Sequence, residues 1–76
     1  MEQNTKSYQL IIDKLKENGI NIPSQIQLFT NQLRDYYSIG INYMSTGVHI
    51  SKKDIDEDEL KDNSNIQLCK TWECQL

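Results

Sequence analysis

The apolar residues near the N-terminus repeat at the spacing of one helical face. Four of them occupy positions i, i+3, i+4 and i+7, namely Tyr8, Ile11, Ile12 and Leu15. Asn4 or Thr5 can cap the start of such a helix, and Gly19 suits the left-handed position just past its end. The pattern therefore predicts a helix over about residues 5–18.

Residues 24–37 show a second helical pattern. Residues 24–27 (SQIQ) have the form of a capping box, in which Ser24 and Gln27 exchange hydrogen bonds with the backbone. The apolar positions that then share one face are Ile26, Phe29, Leu33 and Tyr37. Because only about five residues connect the two predicted helices, we expect an antiparallel helical hairpin. Leu10 and Leu28 fall outside these stripes, and we expect them to pack against the protein's own sheet.

Alternating apolar and polar residues predict strands in the second half of the chain. The first alternating positions are Ile39, Ile41, Tyr43, Val48 and Ile50. They predict a hairpin over about residues 39–51, with its turn at residues 45–47 (STG). Near the C-terminus, one parity is shared by Ile66, Leu68, Trp72, Cys74 and Leu76. This predicts a strand over about residues 66–76, and the intervening residues 52–65 are expected to form a short exposed helix or an acidic loop.

These elements predict a single α+β domain over residues 1–76. The expected architecture is an N-terminal antiparallel helical hairpin packed on a small three-stranded antiparallel sheet, and the alternative is a small all-α bundle. Only 37% of the 76 residues are hydrophobic, and a chain of this length buries only about 60% of the surface that its unfolded form exposes. Little apolar surface is left to line a small-molecule pocket, so we expect no cofactor.

The chain lacks the hydrophobic signals of a membrane protein. No apolar run approaches the roughly 18 residues of a membrane span, and no apolar stretch follows a basic N-terminus. We therefore expect no membrane partner and a cytoplasmic location.

The only two cysteines, Cys69 and Cys74, are predicted to be free thiols. Five positions apart in a strand, they would point to opposite faces with their Cα atoms roughly 16 Å apart, which is too far for a disulfide. Free thiols fit a reducing compartment. A disulfide would require residues 70–73 to form a tight turn instead.

Charge is distributed unevenly along the chain. The net charge of −3 lies entirely in the second half, and residues 54–62, called the acidic segment below, hold six acids against one base. Between Glu17 and Lys52 the only basic residue is Arg34. A nucleic-acid-binding protein needs several basic residues on one face, so nucleic acid is an unlikely partner.

Residue patterns for metal binding or catalysis are incomplete in this sequence. Asp54, Asp56 and Asp58 match the start of a calcium loop, but Glu59 and Asn65 occupy the positions where the loop requires glycine and glutamate. We therefore predict no metal. His49 is the only histidine, and its parity places it on the solvent face of a strand without a recognisable catalytic partner. We expect no enzymatic activity.

The acidic segment is the best candidate for a functional surface. A dense acidic patch can steer and bind a basic or nucleic-acid-binding surface of another protein, and aromatic side chains would supply anchors. The predicted partner-binding residues are Asp54, Asp56, Glu57, Asp58, Glu59, Tyr43 and Trp72. The absence of alanine and the abundance of isoleucine, asparagine and lysine indicate an AT-rich coding sequence. The sequence therefore favours an inhibitor or immunity-type protein of phage, plasmid or low-GC bacterial origin.

Two other classes remain open at this point. The alternative is a small DNA-binding transcriptional regulator, with residues 5–45 forming a helix-turn-helix variant. Its recognition helix would offer only Asn31, Gln32 and Arg34 to the groove. A homodimer is a further option, because small domains gain core by pairing and a short sheet exposes its edge.

Overall fold

One long helix covers one face of a four-stranded sheet in the computed structural model, which describes residues 5–70. The elements in chain order are α1 (Lys6–Glu17), β1 (Ile26–Thr30), β2 (Tyr36–Ile41), β3 (Met44–Ser51), a 3₁₀ turn (Lys52–Asp54), α2 (Glu57–Leu60) and β4 (Ile66–Lys70). The α+β class is confirmed. The helical hairpin, the three-stranded antiparallel sheet and the alternative all-α bundle are wrong.

Helix α1 forms where the sequence pattern places it. Thr5 caps it, since the hydroxyl oxygen accepts a hydrogen bond from the Tyr8 backbone N–H at 3.2 Å. The helix ends at Glu17, and Gly19, just past the C-cap residue Asn18, has a φ of 72°, the left-handed conformation that glycine adopts at least cost. Ile11, Ile12 and Leu15 are buried against the sheet.

The predicted second helix over 24–37 is wrong, because this region contains two strands and a loop. Leu33, which the helical pattern assigned to the buried stripe, is 89% exposed in the loop between β1 and β2. Leu28, which that pattern excluded, is fully buried. Ile26 and Leu28 are two positions apart and share the core face, as a strand requires. Sheet pairing therefore overrides the capping-box signal at Ser24.

The hairpin of β2 and β3 turns earlier than predicted. Its turn lies at Asn42 and Tyr43, both with positive φ (55° and 63°) as in a type I′ turn. The predicted turn glycine, Gly47, lies within β3 beside a register shift between Ile39 and Gly40. Its φ of 81° fits a bulged position.

The sheet is mixed, with strand order β3-β2-β1-β4. Strands β1, β2 and β3 pair antiparallel, whereas β4 lies parallel to β1 with Ile26 opposite Ile66. The C-terminal strand was predicted to pair with the 39–51 hairpin, and it lies beside β1 instead. Parallel pairing requires the chain to cross from one edge of the sheet to the other, and residues 52–65 make that crossing. The predicted continuation of this strand to residue 76 lies outside the described residues.

The helix-facing side of the sheet forms the core. One row across the three antiparallel strands joins Leu28, Ile39 and Val48, and the next joins Tyr37 to Ile50. All five side chains are buried in one cluster with α1. Burial of such side chains stabilises the fold by about 1.5–3 kcal/mol each relative to exposure.

Cys69 differs from the sequence prediction, because it is disulfide-bonded. The only other cysteine in the chain, Cys74, lies outside the described residues. The prediction of free thiols assumed a regular strand through residue 76, in which two cysteines five positions apart lie beyond bonding distance.

Phe29 packs over Gly40 on the sheet face that points away from α1. Phe29 is buried, and a Cβ atom added at Gly40 would overlap its ring and approach the Met44 carbonyl oxygen to 3.1 Å. The absence of a side chain at position 40 thus lets the ring lie flat across β2.

We expect Gly40→Ala to lower the free energy of unfolding by about 1–3 kcal/mol, because the new methyl group forces Phe29 out of place. Ser38→Ala, on the same strand and the same face, should change it by less than about 0.5 kcal/mol. Urea unfolding of both variants measures the difference. Equal effects would contradict the proposed packing.

Candidate functional site

The acidic segment is anchored to the core by two apolar residues. Ile55 and Leu60 are buried among the core side chains, although they lie too far apart in sequence to form a helical stripe. Between them the chain forms the single turn of α2, which packs against α1. The segment thus contains a short helix with exposed acids, as the sequence suggested, but Ile55 and Leu60 tie it to the core.

Ser7 of α1 exchanges hydrogen bonds with the acidic segment. Its backbone N–H donates to a carboxylate oxygen of Glu59 at 3.1 Å, and its hydroxyl oxygen accepts from the backbone N–H of Asp56 at 2.7 Å. The first-turn amides of a helix lack partners within the helix and favour negative charge. Glu59 thus acts as a capping carboxylate supplied from 52 residues away.

Glu57 accepts a hydrogen bond from the phenol of Tyr37 in the core. Burial raises the pKa of this phenol well above its ordinary value, and the hydrogen bond to Glu57 and the charge of that carboxylate raise it further. The Tyr37 ring lies in the row of Ile50, and Lys52 Nζ lies 6.0 Å from its centroid. This contact attaches α2 to β2, an inner strand of the sheet.

The remaining acids of the segment differ in how strongly the fold engages them. Asp56 caps α2 by accepting from the Asp58 backbone N–H at 3.0 Å. Asp58 forms a surface ion pair with Lys61 at 3.2 Å, a type of contact that contributes about 0–1 kcal/mol. Glu59 is partly buried, and the other five acids of the segment are exposed. Three carboxylates, those of Asp56, Glu57 and Glu59, accept hydrogen bonds from the fold. The other three, those of Asp54, Asp58 and Asp62, are called the outward carboxylates below.

An open cleft of about 320 Å³ separates the start of α1 from the acidic segment. Its lining includes three carboxylates, those of Asp54, Asp56 and Glu59, and two ammonium groups, those of Lys6 and Lys53. The opposite charges largely balance one another there. The cleft is therefore only weakly anionic.

Tyr43 occupies the turn at the other end of the β2–β3 hairpin. Its backbone N–H donates to the side-chain oxygen of Gln27 at 2.9 Å, and its hydroxyl donates to that of Gln67 at 3.0 Å. Gln27 is only 1% exposed, so the Tyr43 amide satisfies a buried acceptor. This network accounts for a tyrosine with positive φ, a conformation that is unfavourable outside glycine.

Tyr43 is separated from the start of the acidic segment by the length of β3. It directly precedes this strand, whose first and last residues, Met44 and Ser51, lie roughly 23 Å apart at the rise of an extended strand. The acidic segment begins beyond Ser51, and its far end leads into β4, whose Gln67 accepts the hydrogen bond from the Tyr43 hydroxyl. Trp72 lies outside the described residues. Sequence reasoning also missed Ser7, whose two contacts with the segment have no local sequence signal.

The structural basis of the DNA-binding alternative is absent. Asn31, Gln32 and Arg34, the residues proposed for a recognition helix, lie in the exposed loop between β1 and β2. The described part of the chain has one helix longer than a single turn, and a helix-turn-helix needs two.

The chain was compared with models of protein families, with curated proteins and with solved structures, and none of them matches it. Among residues 5–70, no helix has the length and apolar character needed to cross a membrane.

Alkaline pH should destabilise this protein through Tyr37. The folded state raises the pKa of this phenol above its unfolded value of about 10, so the folded state binds the proton more tightly. The resulting stability is fully present below about pH 10 and is lost as the pH rises above it. Urea midpoints measured between about pH 8 and about pH 11 should fall more steeply for the wild type than for Tyr37→Phe. Parallel curves would contradict the role of Tyr37.

Proposed function

We propose that this chain is a small protein-binding module that acts by occupying a basic surface of another protein. The partner contacts the outward carboxylates of the acidic segment, those of Asp54, Asp58 and Asp62. Blocking is steric and electrostatic, and the proposal assigns the chain no chemistry of its own. Within this class, we favour an inhibitor or immunity-type protein of phage, plasmid or low-GC bacterial origin.

The observation that carries the proposal is the rigid attachment of the acidic segment. Buried Ile55 and Leu60 fix its backbone, and Ser7 fixes Asp56 and Glu59 from the side of α1. Charges on a pre-ordered backbone lose little conformational freedom when a partner binds. A fixed acidic array is therefore better suited to recognition than a flexible acidic loop of equal charge.

The contribution of each predicted residue is refined by these contacts. Asp56, Glu57 and Glu59 contribute to the acidic surface, but their internal hydrogen bonds leave them fewer lone pairs for a partner. The hydrogen bonds of Tyr43 to Gln27 and Gln67 hold it in the hairpin turn, so we assign it to the turn. The proposed interface is thus narrower than the sequence predicted.

The disulfide removes one of the two reasons for expecting a cytoplasmic location, the free thiols. Disulfides persist mainly in oxidising compartments, and the disulfide at Cys69 therefore counts against a reducing cytosol. The protein-binding proposal does not depend on the compartment, because charge recognition operates in either one.

The experiment compares two variants with the same change in net charge. Asp54→Asn, Asp58→Asn and Asp62→Asn together neutralise the outward carboxylates. The control combines Asp13→Asn, Glu17→Gln and Asp35→Asn, which are exposed acids elsewhere on the chain. The tagged wild-type chain captures its partner from host lysate, and the association rate of each variant with that purified partner is then measured at several salt concentrations.

We expect the outward variant to associate about 10-fold more slowly at low salt and to show a flatter salt dependence. The control variant should stay close to the wild type, because its neutralised charges lie outside the interface. Equal slowing of both variants would mean that association depends on the net charge of the chain and not on the outward carboxylates. Unchanged association of the outward variant would overturn the proposal.

A further inference from the structure

Strand β3 lies at an edge of the sheet and has only one neighbouring strand, β2, in the described structure. Its eight residues, from Met44 to Ser51, include no charged side chain and no proline. Charged side chains and proline are common means by which proteins prevent edge strands from pairing with other chains. The outer side of β3 therefore presents backbone donors and acceptors that another strand can use.

The pairing of β3 with β2 determines which residues point outward. Lys52 donates its backbone N–H to the Asp35 carbonyl oxygen at 2.8 Å, so position 52 faces β2. Backbone groups alternate in direction along a strand, and Ile50 therefore also faces β2. The N–H and C=O groups of His49 and Ser51 consequently point away from β2, toward the open edge of the sheet.

The bulge in β3 limits the length of this accessible edge. Thr46 Oγ1 donates to the Ile39 carbonyl oxygen at 2.8 Å and accepts from the Val48 N–H at 3.2 Å. The Gly47 N–H donates to Ser45 Oγ at 3.1 Å. Polar groups in the bulge are thus used locally, and the regular edge runs from Val48 to Ser51.

We propose that a second copy of this chain pairs antiparallel with β3 across a two-fold axis through Ile50. In this register His49 of each copy lies opposite Ser51 of the other, and the two residues exchange both backbone hydrogen bonds. The two Ile50 residues then face each other on the helix-bearing side. In each copy, the N–H and C=O groups of His49 and Ser51 are then all hydrogen-bonded. The pairing uses no backbone group of Gly47.

A second copy fits this edge better than an unrelated strand for two reasons. The register is self-complementary, since it matches apolar Ile50 with itself and the uncharged His49 and Ser51 with each other. A chain of 76 residues also gains buried surface by forming one continuous eight-stranded sheet. The net charge of −3 on each copy opposes the contact, and salt should weaken that repulsion.

Ser51→Pro is a selective test of this contact. Ser51 has a φ of −63°, which proline adopts without strain, and its N–H points outward, so the folded monomer loses no internal hydrogen bond. Proline removes the outward donor and blocks the edge. Ser51→Ala is the matched control, because it keeps the N–H and the Ser51 side chain makes no capping bond.

Sedimentation of the three proteins is measured from about 10 µM to about 1 mM, the range expected for a small interface. We expect the wild type and Ser51→Ala to shift toward dimer with concentration, more strongly at high salt, and Ser51→Pro to remain monomeric with an unchanged thermal midpoint. Amide hydrogen exchange of the wild type should show protection of His49 and Ser51 that grows with concentration. A wild type that stays monomeric, or a Ser51→Pro variant that dimerises equally well, would overturn the inference.

The salt response separates this contact from the proposed function. Binding of a basic partner to the acidic segment weakens as salt is added, whereas pairing of two like-charged copies strengthens. Failure of one proposal therefore leaves the other intact.

Discussion

The parallel pairing of β1 with β4 is the constraint on which this fold depends. It obliges the chain to leave β3 at one edge of the sheet and return beyond β1 at the other. The crossing must be held down by contacts, because it lacks the long amphipathic helix that usually makes such a connection. Ile55 and Leu60 supply the apolar contacts, and Ser7 supplies hydrogen bonds from α1.

This constraint explains the composition of the acidic segment. A crossing that passes the N-terminus of α1 meets free amides, and a carboxylate is the side chain that satisfies them best. Glu59 does so directly, while Glu57 reaches the phenol of Tyr37 in the core. Half of the acids therefore have a structural reason to be there. In the other half the fold engages only Asp58, through a surface ion pair with Lys61, and we therefore assign the partner contact to this half.

Elements with one clear periodicity could be predicted from the sequence. The prediction was wrong where a helical and a strand periodicity fit the same residues. Helix α1 followed from its stripe and its glycine stop, and the alternation at Val48 and Ile50 identified a strand. Residues 26–37 satisfy a helical spacing through Phe29 and a strand spacing through Leu28. The partners across the sheet decide between them, and those partners are distant in sequence. The signal that favoured the strand was Leu28, an apolar residue that the helical stripe left unexplained.

From the sequence, the candidate site could be predicted only as a run of acidic residues. The position of the segment after β3 followed from the sequence. Which of its acids bond to the rest of the fold depends on Ser7 and Tyr37, which the sequence does not connect with them. Those residues lie 52 and 20 positions away from their carboxylate partners, and no spacing rule connects them. The accessible edge of β3 could not be predicted from the sequence either, because it depends on the strand order and on the bulge at Gly47.

The central claim is that the acidic segment divides into structural and outward carboxylates. Its most direct test compares the free energy of unfolding of two triple alanine variants with the same charge change, one at Asp56, Glu57 and Glu59 and the other at Asp54, Asp58 and Asp62. The account predicts a loss of roughly 3 kcal/mol for the first, about 1 kcal/mol per lost side-chain hydrogen bond. It predicts a change within about 1 kcal/mol for the second. Equal losses in the two variants would contradict it.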